Sequence, residues 1–285
     1  MIYYIVIPAH NEEAFLRLTL NSIANQTLLP KKAVIVNDNS TDATETIIDE
    51  FTAAHHFFRK VNSASSPNAE HLPGSKVIHA FNKGLAVLDD HFDVMVKLDA
   101  DIVLPPDYFE CIAAIFKAHP KVGIAGGFAY EKDANDTWVL NHPMNNDHIR
   151  GAFKAYRKAC FSAIGSLKTS IGWDTVDELL AKYYGFETYT DASLKVKHLR
   201  PIGKSYHKKA KLMQGEAFYK MRYGFLLTAI AAAKMAWKQK SVRAFFNHLN
   251  GYFSAGKRKT AFLVSPEEGA FIRSYRYRGI FRKLF

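Results

Sequence analysis

The sequence has few cysteines and no long uncharged apolar run, and both shortages narrow the class of protein. Two cysteines among 285 residues are too few for a disulfide-stapled secreted scaffold, which favours a reducing compartment. The longest apolar stretch free of charge runs from Tyr223 to Ala233, far short of the roughly 20 residues that a spanning helix needs. The first residues also lack the basic start and the small-residue cleavage site of a signal peptide. We therefore expect a cytoplasmic protein that does not cross a membrane.

Two glycine-rich phosphate-binding motifs are missing as well. The sequence contains neither a Gly-x-Gly-x-x-Gly loop nor a Walker A loop. Nicotinamide chemistry and phosphoryl transfer from ATP therefore lack their usual phosphate-binding segment.

Positive charge is concentrated at the end of the chain. Residues 1–200 carry 20 basic and 24 acidic side chains, whereas the last 85 residues carry 18 basic and 3 acidic ones. Such a segment suits anionic lipid, nucleic acid or a phosphorylated substrate. Apolar side chains lie among the basic ones at spacings of about three or four, namely Phe245, Phe246, Leu249, Tyr252, Phe253, Tyr275, Tyr277, Ile280, Phe281, Leu284 and Phe285. This pattern is typical of an interfacial amphipathic helix, and we expect it to contact an anionic membrane surface. The alternatives are packing on the main domain and, less favoured, nucleic acid.

Short β-rich runs alternate with helical patterns over residues 3–127. Strands are predicted at 3–7, 33–36 and 94–98, and helices at 14–25, 42–57 (with a capping box from Asp42 to Glu45) and 76–88. Later elements are a strand at 152–156 and a helix at 175–184 that stops at Gly185, and residues 62–75 are expected to form a surface loop. The alternation predicts an α/β fold with a mostly parallel central sheet flanked by helices. In such sheets the ligand lies beyond the carboxyl ends of the strands.

Polar motifs follow each of the first three predicted strands. They read Pro8-Ala9-His10-Asn11-Glu12, Asn37-Asp38 and Asp99-Ala100-Asp101. In this order and spacing they resemble the family 2 glycosyltransferases of the GT-A fold, over about the first 200 residues. The resemblance implies a metal-dependent inverting transfer of a sugar from a nucleotide diphosphate donor. It also implies a glycosyltransferase domain over residues 1–220, with a donor half (1–127) and an acceptor half (128–220), followed by a basic helical extension over 221–285.

The resemblance assigns donor and metal roles to individual residues. Asp101 is expected to bind Mn²⁺ or Mg²⁺, and Asp99 to lie beside the metal and the ribose; both ions are hard cations that accept a few carboxylates together with phosphate oxygens and water. Asp38 is expected at the nucleobase or ribose. The remaining donor-pocket residues implied by the resemblance are Pro8, Ala9 and Glu12, together with Lys83. Lys83 lies within Asn82-Lys83-Gly84, which resembles the family's Asn-x-Gly stretch near the donor, but a solvated helix lysine is the favoured alternative. Each acidic residue also has a purely structural interpretation. Asp38 would form an Asx turn, Glu12 would stabilise the positive end of a helix, and Asp99 and Asp101 would cap a helix. Asn37 stands where the family commonly has a second Asp, which leaves the base preference open.

A His-Leu-Arg segment follows a later predicted strand. Many GT-A enzymes place a histidine there that completes the metal site or meets the diphosphate, which makes His198 a candidate metal ligand. Arg200 would add a planar fork for phosphate. The alternative for His198 is an ordinary surface histidine.

The acceptor hydroxyl needs a carboxylate to take its proton. The segment from Gly172 to Leu180 stands where the family has its catalytic acidic motif, and it offers Asp174, Asp177 and Glu178. The spacing to Gly185 favours Asp174, whereas the adjacent acidic pair favours Asp177 or Glu178. All three could instead serve the N-terminus of a helix. Trp173 resembles an aromatic that stacks on an acceptor sugar, with a core tryptophan as the alternative.

The expected activity is the addition of single sugars to a glycan or polyprenyl-linked acceptor in cell-surface polysaccharide biosynthesis. The Gln-x-x-Arg-Trp motif of processive synthases is absent, and the basic tail suggests peripheral association with the inner face of the membrane. Two other classes remain as alternatives. A sugar nucleotidyltransferase would need a glycine-rich basic loop after the first strand, and a non-catalytic binding module would leave the acidic motifs unexplained.

Overall fold

The computed structural model describes residues 1–63, 74–141, 148–200 and 210–284. Within them the strands are β1 (Tyr3–Ala9), β2 (Lys32–Asn37), β3 (Phe58–Asn62), β4 (Val94–Leu98), β5 (Ile102–Val103), β6 (Val122–Lys132), β7 (Trp138–Leu140), β8 (Phe153–Arg157) and β9 (Glu187–His198). The helices are α1 (Leu16–Ala24), α2 (Thr44–Ala54), α3 (Ser75–Leu85), α4 (Tyr108–Ala118), α5 (Lys158–Ala163), α6 (Trp173–Tyr183), α7 (Ala210–Lys220), α8 (Gly224–Lys238), α9 (Val242–Lys257) and α10 (Pro266–Leu284). Among these described helices none combines the length and the apolar character needed to cross a bilayer.

The strands form one sheet in the order β3-β2-β1-β4-β8-β6-β9-β5, with β7 paired to β6. The part from β3 to β4 is parallel, and β8 pairs antiparallel with both β4 and β6. β6 and β9 are again parallel. β1, β2 and β4 are buried along almost their whole length, as expected for strands covered by helices on both faces. The predicted α/β class is confirmed, and the carboxyl ends of β1, β2 and β4 lie on one edge of the sheet.

The predicted helix over 42–57 is too long. α2 covers only Thr44–Ala54, and the chain then enters β3 at Phe58. The proposed capping box is not formed: the Asp42 carboxylate accepts the Thr44 N–H at 3.0 Å, but Glu45 pairs with the Lys60 ammonium at 3.0 Å. The predicted strand over 94–98 matches β4, and the other predicted strands and helices differ from the observed bounds by at most three residues. Gly185 has a positive φ of 83° just after α6 ends. Residues 64–73 of the predicted surface loop lie outside the described part of the chain.

Four strands were not predicted, namely β3, β5, β6 and β7, whereas the strand predicted ahead of the His-Leu-Arg segment is β9. β6 contains three glycines, and none of them has room for a Cβ. A Cβ on Gly126 would lie 2.4 Å from Ile149, and one on Gly127 would lie 2.3 Å from the carbonyl oxygen of Leu194. Glycine is uncommon in strands, so these residues argued against a strand here. In the structure they allow β6 to pack closely against Ile149 and Leu194.

Contacts divide the chain into two compact units. The first comprises the described residues within Met1–His71, Lys76–Leu167 and Tyr184–Ile202, and the second those within Leu72–Ser75, Lys168–Tyr183 and Gly203–Phe285. The first unit contains the sheet, and the second contains α6 and the helices from α7 onward. The functional division expected from the sequence, 1–220 and 221–285, stays a prediction.

Within the second unit, α7 and α9 cross at two glycines. A Cβ on Gly215 would lie 1.8 Å from the carbonyl oxygen of His248, and one on Gly251 would lie 1.9 Å from that of Leu212. The two helix backbones therefore touch directly, and only glycine fits at these two positions. The predicted C-terminal extension is helical over most of its length, in α8, α9 and α10.

Candidate functional site

Two aspartates lie at the carboxyl end of β4, where the parallel part of the sheet ends. Asp99 directly follows the strand, and its N–H donates to the carbonyl oxygen of Ala152 at 2.8 Å. Its carboxylate accepts a hydrogen bond from the ammonium of Lys97, a lysine that is almost completely buried in β4. Burial raises the pKa of Asp99, Lys97 opposes this shift, and the charge of Asp101 adds to it.

Asp101 is buried and faces an imidazole and a guanidinium. Its Oδ2 lies 3.3 Å from His198 Nε2 and 3.8 Å from Arg200 Nε. Burial acts to raise the pKa of Asp101, but His198 and Arg200 outweigh it and hold that pKa below its usual range. The contact is fixed by the backbone, because β5 and β9 pair with Ile102 opposite His198, and Leu199 N–H donates to the carbonyl oxygen of Asp101 at 2.9 Å.

A second carboxylate holds the other side of the His198 ring. Glu131, near the end of β6, places Oε1 3.4 Å from His198 Nδ1, and its side chain is largely buried. The same oxygen accepts a hydrogen bond from the Asn141 amide, which in turn accepts one from Arg150 at 2.9 Å. Burial acts to lower the pKa of His198, but Asp101 and Glu131 raise it above its usual value. Sequence reasoning missed Glu131, since nothing in its own neighbourhood points to a histidine 67 positions later.

Glu12 joins the cluster through Arg200. Its Oε2 lies 2.6 Å from an Arg200 nitrogen, and its N–H donates to the Thr44 hydroxyl at 2.7 Å. The guanidinium also lies over the Phe15 ring at 5.5 Å. Burial raises the pKa of Glu12 to about 7, against the opposing charge of Arg200. The structure thus brings together five predicted residues: Glu12, Asp99, Asp101, His198 and Arg200.

Asp38 lies beyond the neighbouring strand ends. Pro8 and Ala9 close β1, opposite Val36 and Asn37 of β2. The Asp38 N–H donates to the Ala9 carbonyl oxygen at 2.8 Å, so this turn is tied to β1. The Asp38 carboxylate is buried, with the Lys76 ammonium 3.7 Å away.

The lysine beside Asp38 is not the one that the sequence suggested. Lys76 lies in the first turn of α3, whereas Lys83 is exposed in the last turn, seven residues and about 10 Å further along the axis. The adjacent Gly84 has a structural role, because a Cβ there would lie 2.5 Å from Val6 and 2.7 Å from Val36.

The predicted acceptor residues lie on α6 in the second unit. Trp173, Asp177 and Glu178 are buried, and Asp174 in the first turn is partly exposed. Asp177 Oδ1 accepts the N–H of Glu178 at 2.6 Å. Gly172, with a positive φ of 73°, precedes the helix and its carbonyl oxygen accepts the N–H of Val176 at 3.0 Å.

In the first unit, Asp101 offers a carboxylate oxygen that could bind a hard cation. The second carboxylate oxygen of Asp101, Oδ1, is buried and has no hydrogen-bond partner among the described residues. Such an orphaned oxygen is costly unless a ligand satisfies it. No group of three or more His, Cys, Asp or Glu side chains in the described ranges is arranged to hold a metal ion. Protein oxygens at this edge could therefore supply only part of a coordination shell, which suits a cation that also takes phosphate oxygens and water.

Comparison with protein families gives one match. The model described as "Glycosyl transferase family 2" matches residues 4–170, more than half of the chain. Among curated proteins, the "Probable glycosyltransferase YdaM" of Bacillus subtilis (strain 168) is 38% identical over 100 residues, which are 34% of this chain and 22% of that protein. The match thus spans about a fifth of the relative's length.

Solved structures share the fold at low identity. The S. aureus TarS 1–349 structure "in complex with UDP-GlcNAc" has a TM-score of 0.58 and 15% identity, over 89% of this chain and 73% of that one. The "Mannosyltransferase PcManGT from Pyrobaculum calidifontis in complex with GDP-Man and Mn2+" has a TM-score of 0.57 and 16% identity, over 98% and 80%. The expected fold is confirmed by these similarities.

Proposed function

The chain belongs to glycosyl transferase family 2, and from this premise we propose that it transfers a sugar, with inversion, from a nucleotide diphosphate donor to an acceptor hydroxyl. The observation that carries the proposal is the pair Asp99 and Asp101 at the end of β4, with one buried Asp101 oxygen unpartnered in the described part of the chain. A carboxylate with an unpartnered oxygen, located beyond the ends of parallel strands, suits a cation that in turn binds a diphosphate.

The donor would lie along the carboxyl ends of β1, β2 and β4. Asp38 would bind the ribose or base, and Pro8 and Ala9 would line the pocket. Lys76, beside Asp38, replaces Lys83 as the α3 lysine favoured for donor contact. Arg200 pairs with Glu12, yet half of its side chain is exposed, and an exposed guanidinium suits the diphosphate.

The bound cation would be Mn²⁺ or Mg²⁺, held by Asp101 with Asp99 and His198 as further candidates. It would supply neutralisation of the charge that develops on the diphosphate. Imidazole favours Mn²⁺ over Mg²⁺. Glu131 would keep the His198 ring in its present orientation, as a carboxylate does for metal-binding histidines generally.

The transfer also needs a base on the acceptor side. As the acceptor oxygen bonds to the anomeric carbon, the bond from that carbon to the diphosphate breaks, its electron pair leaves with the diphosphate, and the hydroxyl proton passes to a carboxylate. We favour Asp174, because it is more exposed than Asp177 and Glu178, with Asp177 next. Trp173 is buried, and a role in stacking on an acceptor sugar stays a proposal.

The acceptor and the place of action belong to the proposal as well. A glycan or polyprenyl-linked acceptor in cell-surface polysaccharide biosynthesis suits the family, with one sugar added at a time. The excess of basic residues in the C-terminal part supports peripheral association with the anionic inner face of the membrane and leaves nucleic acid disfavoured.

Calorimetric titration tests the proposal. UDP, GDP and dTDP are each titrated with Mn²⁺ and with EDTA into the wild type, Asp101→Asn, and the control Asp136→Asn, an exposed aspartate in the turn before β7. One diphosphate should bind to the wild type and the control, only with metal, and not to Asp101→Asn. The structural neighbours carry different bases, UDP-GlcNAc and GDP-Man, so the titration also identifies the donor class. Absence of binding to the folded wild type by all three would overturn the proposal.

A further inference from the structure

α8 and α9 each carry an apolar stripe on their exposed side. The residues of the stripes follow the same spacing of four, three and four: Leu226, Ile230, Ala233 and Trp237 on α8, and Val242, Phe246, Leu249 and Phe253 on α9. Such spacing places the four residues of each set on one helix face. Trp237 is 86% exposed, Val242 76% and Phe246 61%.

The two stripes lie side by side. α8 and α9 form a hairpin joined by a short turn, and the rings of Phe225 and Phe253, at its open end, lie 5.7 Å apart. At the turn, the two stripes line a groove of about 710 Å³, with Trp237, Val242 and Phe246 among its walls. The opposite face of α8 is also apolar, with Leu227 and Ala232 buried. A helix that is apolar on both faces normally has both faces covered, and exposed apolar surfaces of this kind mark interaction sites.

The surrounding charge is of one sign. Residues 217–266 contain nine Lys and Arg and no Asp or Glu. Lys238, Lys240 and Arg243 flank the turn between the stripes, and all three are exposed. Long cationic side chains next to an apolar stripe can keep their heads in water while their stems follow the apolar surface.

We propose that the tip of the α8–α9 hairpin inserts into the interfacial region of an anionic phospholipid bilayer, with Trp237, Val242 and Phe246 as the inserting side chains. This inference rests on the membrane association in the proposed function and assigns it to one element. Tryptophan favours the headgroup level of a bilayer, and cations beside it gain from anionic lipid. Insertion is thus assigned to the hairpin tip and not to α10, which also carries basic and aromatic residues.

Charge also argues against a second copy of this chain as the occupant. Two such hairpins would bring like-charged rims together, which is unfavourable. A lipid headgroup layer instead supplies the opposite charge over the whole rim and an apolar interior beneath it.

Vesicle flotation tests the inference, using the full chain with phosphatidylcholine vesicles that contain or lack phosphatidylglycerol. The insertion variant is Trp237→Gln/Val242→Ser/Phe246→Ser, and the charge variant is Lys238→Gln/Lys240→Gln/Arg243→Gln. The matched control is Phe281→Ser on α10. The side chain of Phe281 is 59% exposed, a fraction similar to that of Phe246. Each is measured at about 0.1 M and about 0.5 M NaCl, because salt weakens the electrostatic part only.

Wild type and Phe281→Ser should bind vesicles that contain phosphatidylglycerol and keep part of this binding at high salt. The insertion variant should lose the salt-resistant part, with partitioning weaker by on the order of 100-fold, and brominated lipids should quench tryptophan fluorescence in the wild type. The charge variant should retain weak, salt-insensitive binding. Equal binding by the insertion variant, or a wild-type dimer that this variant converts to a monomer, would overturn the inference.

The calorimetric titration is repeated on the insertion variant to separate the two proposals. Unchanged diphosphate binding together with lost vesicle binding supports both. Vesicle binding by the wild type without any diphosphate binding would overturn the transferase proposal and leave the insertion standing. Diphosphate binding by the wild type without any vesicle binding would overturn the insertion and leave the transferase proposal standing.

Discussion

The ammonium of Lys97 binds the carboxylate of Asp99, two residues further along the chain, from a strand position that is almost fully buried. The Asp99 side chain is 31% exposed, so one end of this ion pair is within reach of a ligand. Lys97 therefore supplies positive charge directly beneath the predicted donor site. A lysine in a strand that is otherwise apolar on both faces requires such a partner.

Removal of the Lys97 charge should destabilise the protein through Asp99. Lys97→Met should lower the free energy of unfolding by about 2 kcal/mol. This cost is smaller than that of breaking a fully buried ion pair, because Asp99 is partly exposed. Lys97→Met/Asp99→Asn should recover most of this loss, since no unpaired charge is left. Urea denaturation in EDTA at neutral pH measures all three proteins. A double variant that is no more stable than the single one would show that the pair has no such role.

Glu12 should make stability depend on pH. Because its pKa is raised to about 7 in the folded state from 4.5, the folded state holds this proton more tightly than the unfolded one. The stabilisation is complete below about pH 4.5 and is lost as pH rises through about 7. Between about pH 5 and pH 8, the wild type should lose about 2 kcal/mol more stability than Glu12→Gln. Urea denaturation at both pH values, without metal, measures this, and the exposed Glu187→Gln serves as a control that should follow the wild type.

Two of the α6 carboxylates, Asp174 and Asp177, should separate into a catalytic and a structural one. Asp174→Asn should lower kcat by roughly 10³-fold, the effect expected of a lost general base, without changing stability or diphosphate affinity. Asp177→Asn changes a buried group and should lower the melting temperature. Steady-state kinetics and thermal unfolding on the same samples distinguish these effects. A loss of kcat confined to a well-folded Asp177→Asn would assign the base to Asp177 instead.

The two lysines of α3 should differ in their effect on the donor. Lys76→Met should weaken diphosphate binding by roughly tenfold, since its ammonium lies 3.7 Å from the Asp38 carboxylate, whereas Lys83→Met should leave affinity within about twofold. Calorimetry with the diphosphate identified above compares them. Equal weakening by both substitutions would contradict the placement of the donor near the start of α3.

The α7–α9 crossing should tolerate no side chain. Gly215→Ala should lower the free energy of unfolding by about 3 kcal/mol, because its Cβ would overlap a backbone oxygen that cannot move away without separating the helices. Gly279→Ala on α10 is the control, since no atom lies within 4 Å of the added Cβ. This control should gain about 0.5 kcal/mol from helix propensity alone. Similar stability of the two variants would show that α7 and α9 are not in direct backbone contact.

Sequence reasoning predicted the parallel half of the sheet because β1, β2 and β4 are buried on both faces and are therefore almost continuously apolar. β3 was missed because many of its residues are exposed and polar, so the apolar pattern is interrupted. β6 was missed because its glycines satisfy a packing requirement that only the neighbouring strands create.

The candidate site was predictable only where a motif is local. Asp99, Asp101 and Asp38 follow strands that the sequence itself marks. The contacts of His198 with Asp101 and Glu131 depend on pairing between distant strands, which spacing along the chain does not encode. Lys76 was not singled out, because its position beside Asp38 depends on which end of α3 faces the carboxyl edge of the sheet.

The pairing of β9 with β6 is irregular between residues 190 and 195 and regular after them. The irregular segment can change in length, whereas the regular segment that follows cannot. β6 and β9 pair Gly126 with Thr190 and next Phe128 with Lys195, so four residues of β9 lie opposite one of β6. An insertion among those four would enlarge a bulge. A deletion between Lys195 and His198 would move Leu199 into the position opposite Ile102 and take the imidazole away from Asp101. Insertions and deletions during evolution should therefore accumulate between residues 190 and 195 and be excluded from the short segment that follows.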